Sequence, residues 1–330
     1  MEPSVSVLLK DGECAGIPLT VRRSSEMSCL VSVVLPTHNR AHLLPRAINS
    51  VLSQTHDNLE LIVVDDGSTD DTYQVAARYE DPRVSLIRLT GNHGAPYARN
   101  VGITMSKGSF IAFLDSDDEW RPVKLEKQVA LLLESPRFVG AAGAGVTIRR
   151  QLGDEVVTKQ VVPKERIGNI QDELLSGRSF PGKPLWPGST SSILIRKECL
   201  EKVGGFDENL RCAQEHDLYI RLSKYFDFVA VPEPLVIRHS DAGDSISSQT
   251  ESQIAGKKEF LRKHKDEFSF FSRLKANFLF HVGVRMVELG SVAEGRRYLL
   301  RAVLTYPLVP KYWANLARSL VRRKSLSGVH

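Results

Sequence analysis

Two carboxylate clusters could carry chemistry in this chain: Asp65-Asp66, just ahead of Gly67-Ser68, and Asp115-Ser116-Asp117-Asp118. Each follows an apolar run, 59–64 and 109–114, that reads as a buried strand. A third such run, 31–35, stops at Pro36-Thr37-His38-Asn39. In one parallel sheet all three would end at the same edge, where open α/β sheets bind ligands. Carboxylates gathered there repel each other unless a cation lies between them. A hard divalent ion suits oxygen donors, and Mg2+ typically takes one or two carboxylates plus substrate phosphates. The pattern therefore points to a metal–diphosphate site. Each cluster also has a plainer reading. Asp-Asp-Gly-Ser is a common turn, and one aspartate of the second cluster could cap a helix starting near 121.

A further carboxylate sits on a predicted helix over 211–225. Glu215, Leu218, Tyr219 and Leu222 share one face of it at 3–4 spacing. Glu215 therefore sits at the edge of an inward face, and partial burial would raise its pKa toward that of a general base. Its plainer role is to complement the helix dipole. Asp217 points elsewhere and is expected to pair with Arg221, four residues on, at the surface or behind the site. Arg99, on a helix over 95–105, could meet a phosphate or order the carboxylates. His239 follows a short strand and precedes a polar stretch.

The elements that must position these groups alternate. Strands at 31–35, 59–64, 84–89 and 109–114 are separated by helices at 43–52, 69–79 and 95–105, with Ser68 or Thr69 as a candidate N-cap. That alternation means βαβ units, hence a largely parallel sheet with helices on both faces. The middle of the chain is mixed, with strands at 138–148, 156–162, 191–195, 228–231 and 235–238. From 249 to 323 the pattern is helical, broken at Gly290-Ser291 and around Pro307. There Val309, Trp313, Leu316 and Leu320 form one apolar stripe. The expected divisions are an N-terminal extension over 1–28, an α/β domain over 29–250 and a helical region over 251–330. No GxxxxGK[ST] phosphate loop occurs. Gly140, Gly143 and Gly145 have the wrong spacing for a dinucleotide loop and read as close packing inside a strand.

At 330 residues, 42% hydrophobic and 25% charged, the composition excludes a disordered, collagen-like or coiled-coil chain. The net charge of +5 hides a split. Residues 257–330 hold 16 Lys and Arg against 5 Asp and Glu, or +11, which leaves −6 for 1–256. The plainer reading of this region is helices that pack on the α/β domain, and the sharper one is a basic surface drawn to anionic lipid. No nucleic-acid motif accompanies it. The four cysteines form no CxxC pair, so a reducing compartment is expected. No apolar run reaches the roughly 18 residues of a membrane span, and the first residues lack signal-peptide features. A cytoplasmic protein, peripheral at the inner face of the plasma membrane, is expected.

The stretches VSVVLPTHNR (31–40), LELIVVDDGSTDDT (59–72), GAPYARNVGI (94–103), GSFIAFLDSDDEWRP (108–122), GGFDENLRCAQEHDLYIRL (204–222) and EPLVIRH (233–239) resemble a family 2 glycosyltransferase of the GT-A fold. The similarity covers about 30–245. It implies an inverting transferase that uses a nucleotide-diphospho-sugar, most often a UDP-sugar, with Mn2+ or Mg2+. Its acceptors are glycans or lipid-linked glycans. By the same resemblance, Pro36, Thr37 and Asn39 line the nucleotide pocket and Asp66 takes the place of a uracil-contacting aspartate. Arg99, Asp115 and Ser116 fall on the donor side. Asp115 and Asp117 form the DxD motif, Asp117 being the direct metal ligand, and His239 resembles a metal- or diphosphate-contacting histidine. Glu215 stands at the acidic base of an ED motif, here Gln214-Glu215. The stretch around Trp186 and Ser189 is expected on the acceptor side. Competing classes are a nucleotidyltransferase, whose Gly- and Arg-rich loop after the first strand is missing, and a non-catalytic sugar-nucleotide-binding protein.

Overall fold

The computed structural model describes residues 29–152, 155–163, 168–176, 189–239, 250–268 and 272–321. Trp186 lies outside the described residues. The chain forms two compact units. One draws on Met1–Ile170, Phe180–Glu208 and Arg221–Asp244, the other on Gln171–Ser179, Asn209–Ile220 and Ser245–His330.

The first unit holds the sheet. Strands β1 (Val31–Thr37), β2 (Leu59–Asp65), β3 (Val84–Arg88) and β4 (Phe110–Phe113) run parallel in the order β3-β2-β1-β4. Thr37 is level with Asp65, and Val34 with Phe113, so the carboxyl ends of β1, β2 and β4 lie side by side. Both faces are covered, as the continuous apolar strands require. Leu44, Ala47, Ile48 and Val51 of α1 (Leu44–Leu52) join Val31, Val33 and Leu35 in one core. Ile62, Val64 and Ile87 pack with Ala98 of α3 (Ala95–Met105) in another. Between these helices, α2 (Thr72–Ala77) begins three residues later than expected, with Asp71 rather than Ser68 or Thr69 at the N-cap position. Ser68 instead accepts the backbone N–H of Asn39, 2.9 Å away.

Beyond β4 the sheet continues with β5 (Asp118–Trp120), β6 (Val139–Leu152), β7 (Glu155–Val161), β8 (Leu194–Arg196) and β9 (Asp227–His239). The path is β3-β2-β1-β4-β8-β6-β9-β5, with β7 on β6. The strands expected at 228–231 and 235–238 are one strand, β9, which shifts register against β6 near Gly145. Pro232 and Pro234 cannot donate to the ladder, which is why the sequence reads as interrupted there. Gly140 and Gly145 are sites of close packing, as expected. A Cβ on Gly145 would lie 2.7 Å from the Glu233 carbonyl, and one on Gly140 2.8 Å from Cys199 Sγ. Asp118 does not cap a helix. It opens β5, opposite Arg238, and α4 (Lys124–Glu134) starts only at Lys124. After β8 come α6 (Lys197–Val203) and α7 (Gln214–Ser223). Helix α7 is shorter than the expected 211–225 because Ala213 adopts a left-handed φ of 60°, which a helix cannot include.

The second unit is helical. It contains α5 (Gln171–Ser176), the start of α7, α8 (Thr250–Lys263), α9 (Arg273–Glu288), α10 (Val292–Thr305) and α11 (Pro310–Val321). Leu279, Phe280, Leu299, Ala302, Val303 and Tyr312 form its core. The expected stripe on α11 is rotated by about one residue. Tyr312 and Ser319 are buried and Val309 and Leu316 partly so, whereas Trp313 and Leu320 are 53% and 64% exposed. Tyr312 can enter the core because its hydroxyl donates to Asn277 Oδ1 at 2.5 Å, giving its polar end a partner.

Candidate active site

In the sheet unit, the turn after β1 and the turn after β2 are stitched together. Asn39 takes a left-handed φ of 52°, which asparagine tolerates better than most residues. Its Oδ1 accepts the backbone N–H of Thr69 at 2.8 Å. His38 Nδ1 lies 2.8 Å from the Asp66 carbonyl. Gly67 is required in the second turn, because a Cβ there would meet the Gly91 backbone at 2.5 Å. Asp66 is buried, and its two carboxylate oxygens accept the backbone N–H groups of His93 (2.8 Å) and Gly94 (2.7 Å). It therefore fixes the loop that enters α3. Pro36 and Thr37 are buried at the end of β1. The Thr37 hydroxyl has no hydrogen-bond partner among the described residues, an uncommon state for a buried polar atom.

The acidic cluster follows β4. The Asp118 N–H bonds the Asp115 carbonyl at 3.0 Å, closing a tight turn that includes the buried Ser116. Asp115 Oδ1 accepts from Arg99 Nη2 at 2.6 Å, and Oδ2 accepts from the Thr190 hydroxyl at 3.1 Å. Ser191 Oγ donates to Asp118 Oδ2 at 2.6 Å. Arg46 Nη2 holds the Asp117 carbonyl at 2.7 Å. Arg99 is itself buried, with its guanidinium over the Phe206 ring, 5.2 Å from the centroid. Burial, and then the negative charge of Asp115, push the Asp117 carboxyl above its usual range, against the pull of Arg40 and Arg238. Burial and the charges of Asp115 and Asp117 push Asp118 well up.

Such a donor set suits a hard divalent cation, whose charge would relieve the crowding of the aspartates. Among the described residues no three His, Cys, Asp or Glu side chains converge on one metal position. Mg2+-type sites that complete their shell with substrate phosphates need only one or two carboxylates, and Asp115 and Asp117 supply those. His239, at the end of β9, faces Glu119 Oε1 across 3.4 Å. Burial, followed by the Arg46 charge, lowers its pKa against the pull of Glu119. That favours the neutral ring, the form in which histidine binds metal.

Thr190 and Ser191 fall in the stretch 186–192 that is expected on the acceptor side, yet they bond the carboxylates Asp115 and Asp118, and Arg46 was not singled out by the sequence. The signal for the first two was the hydroxyl run Ser189-Thr190-Ser191-Ser192, which forms a buried 3-10 turn over Thr190–Ser192. Ser189 is buried, and its carbonyl accepts the Ser192 N–H at 3.1 Å. So the residues directly after Ser189 hold the aspartates.

In the helical unit, Glu215 lies in the first turn of α7, half-buried, with Oε1 3.4 Å from His216 Nδ1. Leu218 and Tyr219 are buried, as the face through Glu215 predicts. Asp217 is not a surface residue. It is fully buried, accepting from Lys263 Nζ at 2.6 Å, with His264 Nε2 3.0 Å away.

A model of glycosyl transferase family 2 matches residues 32–183. WcaA of Escherichia coli K12, a glycosyl transferase assigned to colanic acid biosynthesis, is 30% identical over 247 residues, 74% of this chain and 84% of that protein. The Escherichia coli UDP-Glc:α-D-GlcNAc-diphosphoundecaprenol β-1,3-glucosyltransferase WfgD is 42% identical over 106 residues, 32% of this chain. The match spans 42% of WfgD's own length. Among solved structures, S. aureus TarS 1–349 in complex with UDP-GlcNAc has a TM-score of 0.57 at 20% identity, covering 86% of this chain and 83% of that one. The mannosyltransferase PcManGT from Pyrobaculum calidifontis, in complex with GDP-Man and Mn2+, has a TM-score of 0.53 at 18% identity, covering 88% and 84%. These likenesses are of fold, the mixed α/β sheet expected of the GT-A class.

Proposed function

Because the chain belongs to glycosyl transferase family 2, we propose that it moves a sugar from a UDP-sugar to a hydroxyl of a glycan or lipid-linked glycan, with inversion, in cell-surface polysaccharide synthesis. The observation that carries this reading is the carboxylate cluster after β4, with Asp115 tied to Arg99 and Thr190 beside the ends of β1 and β2. The solved relatives' sugar nucleotides and WfgD's UDP-Glc support the donor class.

In this reading Pro36, Thr37, Asn39 and Asp66 frame the nucleotide, and the Thr37 hydroxyl gains a partner from it. Arg99, Asp115 and Ser116 border the diphosphate. Asp117, with Asp115, would hold Mn2+ or Mg2+, which when bound would offset charge on the departing diphosphate, and His239 is assigned to the diphosphate rather than to the metal, since it does not converge with the aspartates on one position. Glu215 takes the proton of the acceptor hydroxyl. The freed oxygen attacks the anomeric carbon from the face opposite the diphosphate, the bond to the phosphate oxygen breaks, and UDP leaves. One displacement inverts the anomeric configuration. Ser189 and Trp186 are assigned to the acceptor side.

The test is UDP release with Mn2+ across a panel of UDP-sugars and GDP-mannose, with GlcNAc-diphosphoundecaprenol as acceptor. One UDP-sugar should turn over and give a product of inverted configuration. A retained configuration contradicts the mechanism, and preference for GDP-mannose contradicts the donor class.

Among the described residues no helix is long and apolar enough to cross a membrane. We place the protein at the cytoplasmic surface of the membrane, in peripheral contact through 257–324. There Leu304, Leu308, Trp313 and Leu320 are exposed, and so are Arg297, Arg301, Lys311 and Arg318. Apolar side chains and cations on one unit are what an anionic bilayer attracts. The full chain should float with anionic vesicles and not with neutral ones, and Trp313→Ala with Leu308→Ala should weaken flotation. Equal behaviour on both vesicles removes the membrane assignment.

A further inference from the structure

The first turn of α7 is gripped by α8, 40 to 50 residues further along the chain. Gly256, Phe260 and His264 follow one another at intervals of four, so they line one stripe of α8 and its continuation. His264 lies just past the helix end, but its N–H still bonds the Phe260 carbonyl at 3.1 Å. Each member of the stripe meets a residue around Glu215. At Gly256 a Cβ would lie 2.9 Å from the Cys212 backbone nitrogen and 2.8 Å from its Sγ. The α8 backbone therefore presses directly on the segment before α7. The Phe260 ring meets His216 edge-on, at 6.4 Å between centroids, and stacks on Phe278 at 4.6 Å. Phe278 in turn meets His216 at 6.0 Å. His264 Nε2 lies 3.0 Å from Asp217 Oδ1, and its Nδ1 lies 3.0 Å from Glu267 Oε2. The ring is thus held between two carboxylates, Asp217 and Glu267. Asp217 is fully buried and His264 is 1% exposed.

The grip acts on strained backbone. Ala213 holds a φ of 60° immediately before Gln214. A non-glycine residue there costs on the order of 1 kcal/mol and persists only where its surroundings enforce it. The Ala213 carbonyl accepts the Asp217 N–H at 3.1 Å, so the strained residue and the gripped aspartate close the same turn. Glu215 lies inside that turn.

We propose that His264 is a positioning residue: through Asp217 it holds the first turn of α7 in the one setting that presents Glu215. The inference rests on Glu215 being the base. It makes the region after the sheet part of the catalytic apparatus rather than an appendage, and it explains why α8 carries a glycine where it crosses Cys212.

The experiment compares wild type with His264→Ala, His264→Gln and Glu215→Gln in the full chain. The readouts are amide hydrogen exchange over 211–218, and transfer from the preferred UDP-sugar to GlcNAc-diphosphoundecaprenol. In His264→Ala, exchange over 211–218 should rise tenfold or more, while β1, β2 and β4 exchange as before. Its kcat should fall on the order of 100-fold, with the KM for the UDP-sugar within twofold. His264→Gln, which can still donate to Asp217, should recover most of both. Unchanged exchange over 211–218 in His264→Ala overturns the proposal, as does an unchanged kcat. If His264→Ala does not fold, exchange in His264→Gln decides: wild-type protection supports the proposal, and loss of protection overturns it. Glu215→Gln separates the two claims. It should lower kcat by on the order of 100-fold or more without altering exchange, and if its kcat stays near that of wild type, the assignment of the base fails whatever His264 does.

Discussion

Two buried aspartates, one in each unit, are treated in opposite ways. Asp118 has a serine hydroxyl for a partner and two like charges for neighbours, and its carboxyl is pushed well up. Asp217 is equally buried, yet Lys263 and His264 are brought to it from the end of α8. A buried carboxylate must either be compensated or give up its charge. In the helical unit the chain supplies the compensating partners itself, the Lys263 ammonium and the His264 ring, and the aspartate serves to hold a turn. In the sheet unit the cluster is left crowded, which suits a site where a cation arrives with a ligand.

The comparison can be broken by substitution. The largest effect should come from Glu215→Gln. It removes the proton acceptor and should cost on the order of 100- to 10,000-fold in kcat, with UDP binding intact by calorimetry. Next is Asp217→Ala, which takes the carboxylate away from the partly exposed Lys263 ammonium and the buried His264 ring. Stability should drop by on the order of 3 kcal/mol, read from urea unfolding. Asp118→Asn should do the reverse without added metal, leaving stability equal or higher because it removes one of three crowded charges. If both substitutions destabilise alike, the contrast between the two aspartates is wrong.

The smallest effect concerns Lys124, buried on α4 with no hydrogen-bond partner for Nζ among the described residues. The Trp120 ring centroid lies 3.8 Å from that nitrogen, a contact that favours the cation. Burial pushes the Lys124 pKa well below its usual value. The folded state therefore loses this proton before the unfolded state does. Between the lowered value and the ordinary lysine value near 10.5 the unfolded chain binds more protons, so stability rises with pH. Lys124→Met should raise the melting temperature at neutral pH by a few degrees and flatten that slope. A lower melting temperature would mean the ammonium is accommodated.

The sheet unit was largely legible because its signals are local. Apolar runs ending in Asp65-Asp66 and Asp115–118 fix where strands stop, and strand ends are where such sheets bind. Arg99 could be assigned to the carboxylates for the same reason. What escaped was non-local or off by a fraction of a turn. Thr190 and Ser191 look like any small polar loop until the fold brings them to Asp115 and Asp118. For Asp217, a helical neighbour four residues away such as Arg221 is visible in sequence, whereas His264, 47 residues away, is not. On α11 the choice between Trp313 and Tyr312 turned on one residue of phase, and the buried hydrogen bond to Asn277 favoured tyrosine.

The central claim is that the Asp115–Asp118 cluster binds a nucleoside diphosphate through a divalent cation. Its most direct test is the affinity of UDP, measured by calorimetry with and without Mn2+, in wild type, Asp117→Ala and Asp217→Asn. Mn2+ should tighten UDP binding in wild type and in Asp217→Asn, and have no effect in Asp117→Ala. An equal Mn2+ effect in Asp117→Ala would contradict the claim.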